Sequence, residues 1–416
     1  MSATIEPIQA FQQALSSELW QLVKRAGETG AAQGQPLYLV GGRVRGLLLG
    51  LGDGDMDLVV EGDALAVAQG LADEHGGEVV AHPRFGTAKY RQGDLTIDLA
   101  TARSEVYPRP GALPQVRPGP IDADLTRRDF TINAMALHLS PPQIGRLLDP
   151  FNGRGDLEGG LIRILHPASF IDDATRIMRA LRYEQRLGFR LEERTEELLL
   201  RDISYLETVG VDRLRHELEL ILREERPEPA LARAHELGVL RQIHSSLRAD
   251  DWLAQIYREA RSSGAPPSIG LYLALLVYRL TPQDALDFLQ RYRFTREQEQ
   301  IVRDLHKLDS RRGSLEEPSL TPSGIYALLD GLSLDALEAF RLACGPGRAA
   351  QRVRLYLTDL RDVRPSLDGH QLKALGVAPG PEMGRLLKEL RNARLDGRVR
   401  SEEEEVSLVQ EWLRER

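Results

Sequence analysis

Cysteine is nearly absent: Cys344 is the only one in 416 residues. That excludes an internal disulfide and a cysteine-rich zinc site. Lysine is scarce too, five of the 54 basic residues, so arginine carries the positive charge. The planar arginine fork suits phosphate contacts. No run of 18 apolar residues exists, so no membrane span is expected. No basic region followed by an apolar core opens the chain. No signal peptide is therefore expected, and the simplest compartment is the cytoplasm. The formal net charge of −8 argues against a wholly basic nucleic-acid binder but leaves room for local basic patches. A P-loop is missing, since no Gly-Lys-Ser/Thr follows the glycine pair Gly41-Gly42, and so is a Rossmann fingerprint. Asp53, Asp55 and Asp57 do not open an EF-hand, because Leu58 stands where Gly is needed and Ala64 where a bidentate Glu is needed.

What is present is an ordinary globular composition, 42% hydrophobic and 28% charged, long enough for about three domains. A helix is expected over Pro7–Ala26. Strands are expected near 37–40, 57–61, 77–80, 87–91, 94–99 and 134–139, alternating with a helix from Asp63 to His75 that Asp63 caps and Gly76 stops. From about 168 onward the apolar spacing is helical and no strand is expected. Residues 307–321 read as a polar linker.

The stretch Leu39–Glu61 organises the rest. A short apolar strand ends in Gly41-Gly42, Arg43 and Arg45 follow, and a glycine-rich loop returns into Asp55-Met56-Asp57 at the head of another apolar strand. Alternate strand residues share a face, so Asp55 and Asp57 lie side by side there. Two adjacent carboxylates call for a cation, and Mg²⁺ takes one or two carboxylates plus phosphate oxygens. A glycine turn lets backbone N–H groups approach an anion. Together these are the parts of metal-assisted chemistry on a nucleoside triphosphate. Asp98, on the apolar strand L-T-I-D-L-A-T, is a candidate third carboxylate for holding metal or taking a proton.

Residues 103–121 hold five prolines without periodicity and are expected to form a long loop. In D-L-T-R-R-D-F-T-I-N-A, Arg127 and Arg128 can meet phosphate, and Asp129 and Asn133 can bond a ribose. A turn built on Pro150, Gly153 and Gly155 follows. On the helix at 170–189, Arg176, Arg179, Tyr183 and Arg186 share one face. Asp173 precedes Arg176 by three, so an acceptor and a donor are expected side by side, either as a local ion pair on a solvated face or matching the edge of a base.

Five motifs in order carry a resemblance: G-G-R-V-R with D-M-D, R-R-D-F-T-I-N-A, D-P-F-N-G-R-G-D-L, D-D-A-T-R-I-M-R and R-L-R-H-E-L at 213–218. The chain resembles the class II tRNA nucleotidyltransferases, the CCA-adding enzymes, a class shared with bacterial poly(A) polymerases. The resemblance is strong over roughly 37–260 and weak beyond. It implies an α+β fold: an N-terminal nucleotidyltransferase (DNA polymerase β-like) mixed α/β head followed by an all-helical neck, body and tail. The divisions expected are an N-terminal helical extension over 1–35, a catalytic head over 36–150, a neck with the nucleotide-template helix over 151–225, a body over 226–310 and a tRNA-binding tail over 311–416.

The resemblance assigns the metals, two Mg²⁺ ions, to Asp55 and Asp57, and the strand reading adds Asp98 as their catalytic partner. It assigns the triphosphate to Gly41, Gly42, Arg43 and Arg45, and the sugar and phosphates to Arg128, Asp129 and Asn133. Asp173 and Arg176 would pair with the incoming C or A, Arg179 and Arg182 would reach phosphates, and Arg213 and Glu217 would brace the template helix. The implied partners are the tRNA 3′ end with ATP and/or CTP. In the tail, Arg348, Arg352, Arg354, Lys373, Arg385, Lys388, Arg391 and Arg394 are candidates for gripping RNA by its backbone.

Two positions depart from the family pattern. Gly46 stands at the usual Asp, and Asp172 at the usual Glu. The chain has no His-Asp dipeptide, so the phosphohydrolase domain fused to some relatives is not expected. CC-only members tend to lack a flexible loop where residues 103–121 stand, which tilts the expected product toward CCA or its final A. Poly(A) synthesis on other RNAs, a catalytically silent RNA-binding relative, and transfer to a small molecule or protein are the alternatives.

Overall fold

The computed structural model describes residues 6–51, 56–262, 264 and 266–415. The chain divides into two compact units. One comprises the chain up to Glu224 with Glu236–Ile243, and the other comprises Glu225–His235 with His244–Arg416.

The first unit opens with α1 (Pro7–Gln13) and α2 (Ser17–Ala32). A single helix was expected here. The chain breaks because the Ser16 hydroxyl accepts from Leu19 N–H at 3.2 Å and starts a new helix, as an N-cap serine does. Then come β1 (Leu37–Val40), α3 (Gly42–Leu48), β2 (Leu58–Val60), α4 (Ala64–His75), β3 (Glu78–His82), β4 (Thr87–Gln92), β5 (Leu95–Thr101), β6 (Arg103–Val106), β7 (Gln115–Pro118), α5 (Ile121–Thr126), β8 (Ala136–His138) and β9 (Leu147–Leu148). Seven strands form one mixed sheet in the order β3-β4-β5-β2-β1-β8-β9. Only β2 and β5 are parallel, with Leu58 opposite Leu99. Central β1 is buried at every residue, as a strand covered on both faces must be.

The segment expected to be a loop at 103–121 is instead an antiparallel ribbon, β6 on β7, with Arg103 opposite Pro118 and Val106 opposite Gln115. Its prolines sit at its ends and tip, where no ladder N–H is needed. Gly111 in the tip (φ 72°) lies so close to the carbonyl of Thr208 that a Cβ would come within 2.2 Å of its oxygen.

Beyond the sheet lie α6 (Gly153–Gly159), β10 (Leu161–Ile162), α7 (Ser169–Asp172), α8 (Thr175–Leu187), β11 (Arg190–Leu191), α9 (Glu193–Asp202) and α10 (Val211–Leu222). The expectation of no strand after 168 fails at β11, which pairs in parallel with β10. Two residues are too few to show a period. In α8, Ile177, Met178, Ala180 and Leu181 are fully buried, and Gly188 ends the helix at φ 66°.

The second unit is helical among its described residues. The expected linker at 307–321 runs instead through helices Arg296–Ser310 and Arg312–Glu316. Leu308 and Leu315 are fully buried, and the Leu315 carbonyl accepts from Arg352 at 2.7 Å. These anchors outweigh the polar composition.

Candidate active site

Gly41 joins β1 to α3 in a left-handed conformation (φ 73°). A Cβ there would lie 2.7 Å from Arg128 Nη1 and 3.6 Å from Asp57 Oδ2. The bare Cα therefore borders both a guanidinium and a carboxylate. Gly42 begins α3, and its open side faces the Arg45 guanidinium, 3.5 Å from where a Cβ would stand. Asp57 immediately precedes β2, with its carbonyl accepting from Val40 N–H at 3.1 Å. One step before the Leu58–Leu99 pair, the parallel register sets Asp57 beside Asp98, with both side chains on the same sheet face. Both are exposed, and Asp98 holds Lys89 across the ladder at 3.4 Å. Asp55 lies outside the described residues.

Among the described residues no group of three or more His, Cys, Asp or Glu forms a metal cage by itself. Two neighbouring hard-oxygen donors opening to solvent, beside a cleared glycine, do fit a divalent cation that draws its other ligands from phosphate and water.

Arg43 and Arg45 on α3 are both buried. Arg45 donates to Asn133 Oδ1, and Asn133 Nδ2 donates to Asp129 Oδ1 at 2.9 Å. Asp129 also accepts from Phe130 N–H, and its Oδ2 takes Arg179 Nε at 3.0 Å and Nη2 at 2.6 Å. Burial opposes ionisation of Asp129, but the charge of Arg179 and the bonds from Asn133 and Arg179 outweigh it and hold the carboxyl down at about 2. Arg127 and Arg128 both anchor on Asp124, which is wholly buried. Arg127 also meets Glu105 at 3.3 Å, tying the ribbon to α5. Tyr107 donates to that same Glu105. Burial, then the negative charge of Glu105, pushes the Tyr107 phenol up to about 12.

Asp173 and Arg176 meet only through the backbone, where Arg176 N–H donates to the Asp173 carbonyl at 3.1 Å; their side chains take other partners. Asp173 is extended (φ −143°, ψ 95°) and α8 begins only at Thr175, so helical i,i+3 spacing does not apply to it. Its Oδ1 accepts from Thr175 N–H at 3.1 Å and Oγ1 at 2.7 Å, and its Oδ2 from Arg213 Nη2 at 2.7 Å. Arg176 is buried and donates to Ser169 Oγ at 2.6 Å and to the Arg127 carbonyl at 2.7 Å. On that face of α8, Arg176 is buried, Arg179 and Tyr183 are half-buried and Arg186 is exposed. Arg179 and Arg182 likewise hold carboxylates: Arg179 meets Glu217 at 3.5 Å besides Asp129, and Arg182 meets Glu224 at 3.3 Å and Glu217 at 3.9 Å. Asp173, Thr175, Arg179, Arg213, His216 and Glu217 line a cleft of about 350 Å³. Gly46 is buried, and Asp172 closes α7 3.7 Å from His166.

Sequence reasoning missed Asp124 and Thr175. Asp124 stands four residues before Arg128, a spacing that could have flagged it as an i,i+4 partner. Thr175 carried no signal beyond its closeness to Asp173.

The mixed sheet with paired carboxylates at the β2–β5 step, followed by helices bearing arginine–carboxylate networks, defines a nucleotidyltransferase of the poly(A) polymerase head-domain class. Residues 37–163 match the poly A polymerase head domain, and residues 188–250 match the probable RNA and SrmB-binding site of polymerase A. The chain belongs to the family of the tRNA nucleotidyltransferases, and is an enzyme of the α+β, head-then-helical fold that the five motifs implied. It is 32% identical to the A-adding tRNA nucleotidyltransferase of Halalkalibacterium halodurans, over 98% of this chain and 95% of that one. It is 33% identical to the CC-adding tRNA nucleotidyltransferase of Deinococcus radiodurans, over 91% of this chain and 89% of that one. The solved structure of the Thermotoga maritima CCA-adding enzyme complexed with tRNA superposes with a TM-score of 0.80 at 32% identity, covering 97% of this chain and 98% of that one. No helix among the described residues is long and apolar enough to cross a membrane.

Proposed function

We propose that this chain extends the 3′ end of tRNA from ATP, or from CTP and ATP, and that its product ends in A. The observation that carries the reading is one continuous arrangement. Asp57 and Asp98 share one sheet face, and Asp57 borders Gly41 beside Arg128. A chain of bonds then runs from Arg45 through Asn133 and Asp129 to Arg179, at the cleft that Asp173 lines. The tRNA 3′ hydroxyl oxygen attacks the α-phosphorus, and the bond to pyrophosphate breaks. Asp55, Asp57 and Asp98 would hold two Mg²⁺ ions, whose chemistry is to acidify the hydroxyl and neutralise the leaving pyrophosphate.

Arg43, Arg45 and Arg128 offset triphosphate charge, while Asp129 and Asn133 set the sugar. Asp173, oriented by Thr175 and Arg213, offers a carboxylate to the amino group that both C and A carry. Arg176 reads the base by exchanging one of its present bonds to Ser169 or the Arg127 carbonyl. A wrong base leaves these buried groups unpaired, which is how a polar site discriminates. The segment at 103–118 is an ordered ribbon rather than the flexible loop that CC-only members tend to lack, so A in the product is supported by the likeness to the A-adding enzyme of Halalkalibacterium halodurans. We take the head as 36–150, the neck as 151–225, the body as 226–310 and the tail as 311–416, in a cytoplasmic enzyme. In the tail, Arg354, Lys373, Arg385 and Lys388 are exposed and grip tRNA phosphates. Arg352 is buried on the Leu315 carbonyl and Arg394 is tied to Glu405, so neither serves that role.

The test is a gel assay with tRNA transcripts ending before CCA, after C and after CC, each given ATP, CTP or both. A final A on the CC-ended tRNA is expected. CC addition that stops before A would refute the product, and no incorporation on any tRNA would refute the function. Asp57→Ala should abolish transfer and leave tRNA binding intact. Activity near wild type would sink the metal assignment.

A further inference from the structure

Tyr183 sits on α8 one turn after Arg179 and next to Arg182. Three guanidiniums surround its ring: the Cζ of Arg45 lies 5.0 Å from the centroid, that of Arg182 5.1 Å and that of Arg179 5.7 Å. Phe130 meets the same ring edge-on at 5.8 Å. Arg45 comes from α3, against the metal-binding face, while the other two belong to the helix that follows Asp173. One aromatic ring thus links the triphosphate side of the site to its base-reading side.

Three like charges so close repel one another. Asp129, Glu217 and Glu224 offset part of this through the ion pairs described above. The rest falls to the ring, whose negative face attracts a guanidinium. Arg182 Nε is buried with no hydrogen-bond partner, so at that atom no acceptor does the holding. A guanidinium laid on a ring keeps its in-plane N–H groups available for phosphate or carboxylate. An aliphatic side chain of similar bulk would leave the polar partners of these arginines in place and remove only the attraction that sets the guanidiniums against the ring.

We infer that Tyr183 is a positioning residue for the nucleoside triphosphate. Its π face pre-sets the Arg45 and Arg179 guanidiniums, so that the triphosphate and the base meet donors already in place. This rests on the transfer reaction proposed above. It adds a residue that acts through the arginines rather than by touching substrate.

The test separates π-electron density from shape. Tyr183→Phe gives the baseline, and phenylalanines of increasing fluorination are then placed at position 183, keeping the ring but draining its negative face. Transfer kinetics are measured with ATP or CTP varied and with tRNA varied, alongside Tm. The expected result is a graded fall in kcat/KM for the nucleotide, about threefold to tenfold across the series, as cation–π attraction weakens. The KM for tRNA and Tm should stay constant. A merely packing role would move Tm and leave kcat/KM flat across the series. A flat series beside an active wild-type chain overturns this inference alone. An inactive wild-type chain overturns the transfer reading, and this inference with it.

Discussion

Asp129→Asn tests the Asp129–Arg179 bond at the centre of the site. Asp129 is buried, and its carboxyl is held at about 2 against an ordinary value of 3.8. A shift of nearly two units corresponds to about 2.5 kcal/mol of stability near neutral pH. Because the folded value is the lower one, that stability is fully present above the unfolded value and is lost as pH falls toward the folded one. Between about pH 5 and pH 3, wild type should lose roughly 1 kcal/mol through this group alone. Asparagine cannot titrate, so the variant lacks this component of the acid limb. At neutral pH the variant should be weaker by about 2–3 kcal/mol, since half-buried Arg179 loses its nearer carboxylate and keeps only Glu217 at 3.5 Å. Trp20 reports the first unit, because the other two tryptophans, Trp252 and Trp412, lie in the second. With those two replaced by Phe, the urea midpoint is read from Trp20 fluorescence at several pH values. Acid limbs that run parallel in wild type and variant would refute the argument, whatever the neutral-pH difference.

Arg213→Ala removes the donor on Asp173 Oδ2. The loss of a charge-assisted bond of about 1.5–3 kcal/mol should blur the choice of ATP or CTP over UTP and GTP by roughly tenfold or more. tRNA affinity should be untouched, and unchanged base selection would remove Arg213 from the reading. Gly111→Ala puts a Cβ 2.2 Å from the Thr208 carbonyl oxygen at a φ of 72°. The ribbon tip must then leave its seat, and amide exchange over 103–118 should accelerate; unchanged exchange would contradict the close approach. tRNA affinity should fall with salt, with a log–log slope of about three if Arg354, Lys373, Arg385 and Lys388 each meet a phosphate. With Arg45 buried and Arg179 half-buried, the KM for ATP should be less sensitive if the two meet the triphosphate as proposed. Equal salt responses would move the RNA contacts away from these four residues.

Every strand of the sheet but the two-residue β9 was readable, β1 and β2 as apolar runs and β4 and β5 as short segments either side of a glycine turn, and Asp63 and Gly76 mark the ends of α4 in the chain itself. The ribbon was not, because its pairing joins residues on either side of a proline-rich tip and shows only in the register of Arg103 with Pro118. In the site, Asp57 and Asp98 could each be singled out, but their adjacency depends on two strands about forty residues apart running in parallel. Asp173 illustrates a different loss. Helical spacing pointed to Arg176 as its partner, yet the helix starts two residues later. The carboxylate then turns to Arg213, forty residues along the chain.

Most of the arginines here already hold a protein partner, and this bears on how a triphosphate can bind. Arg127 and Arg128 share Asp124, Arg179 holds Asp129, Arg182 holds Glu224, and Arg213 holds Asp173. A nucleotide therefore enters a lattice of existing pairs and must compete with carboxylates for their guanidiniums. Competition of this kind lowers affinity but fixes geometry, because each arginine is ordered before the ligand arrives and little rotamer entropy remains to be lost. A transferase that must choose among nucleotides with its own side chains gains from that exchange. A loosely held arginine would bind any triphosphate well and leave the choice of base to chance. On the proposed reading, the short bonds around Asp129 and the triple bonding of Asp173 would be as much a part of base selection as the cleft that Asp173 lines.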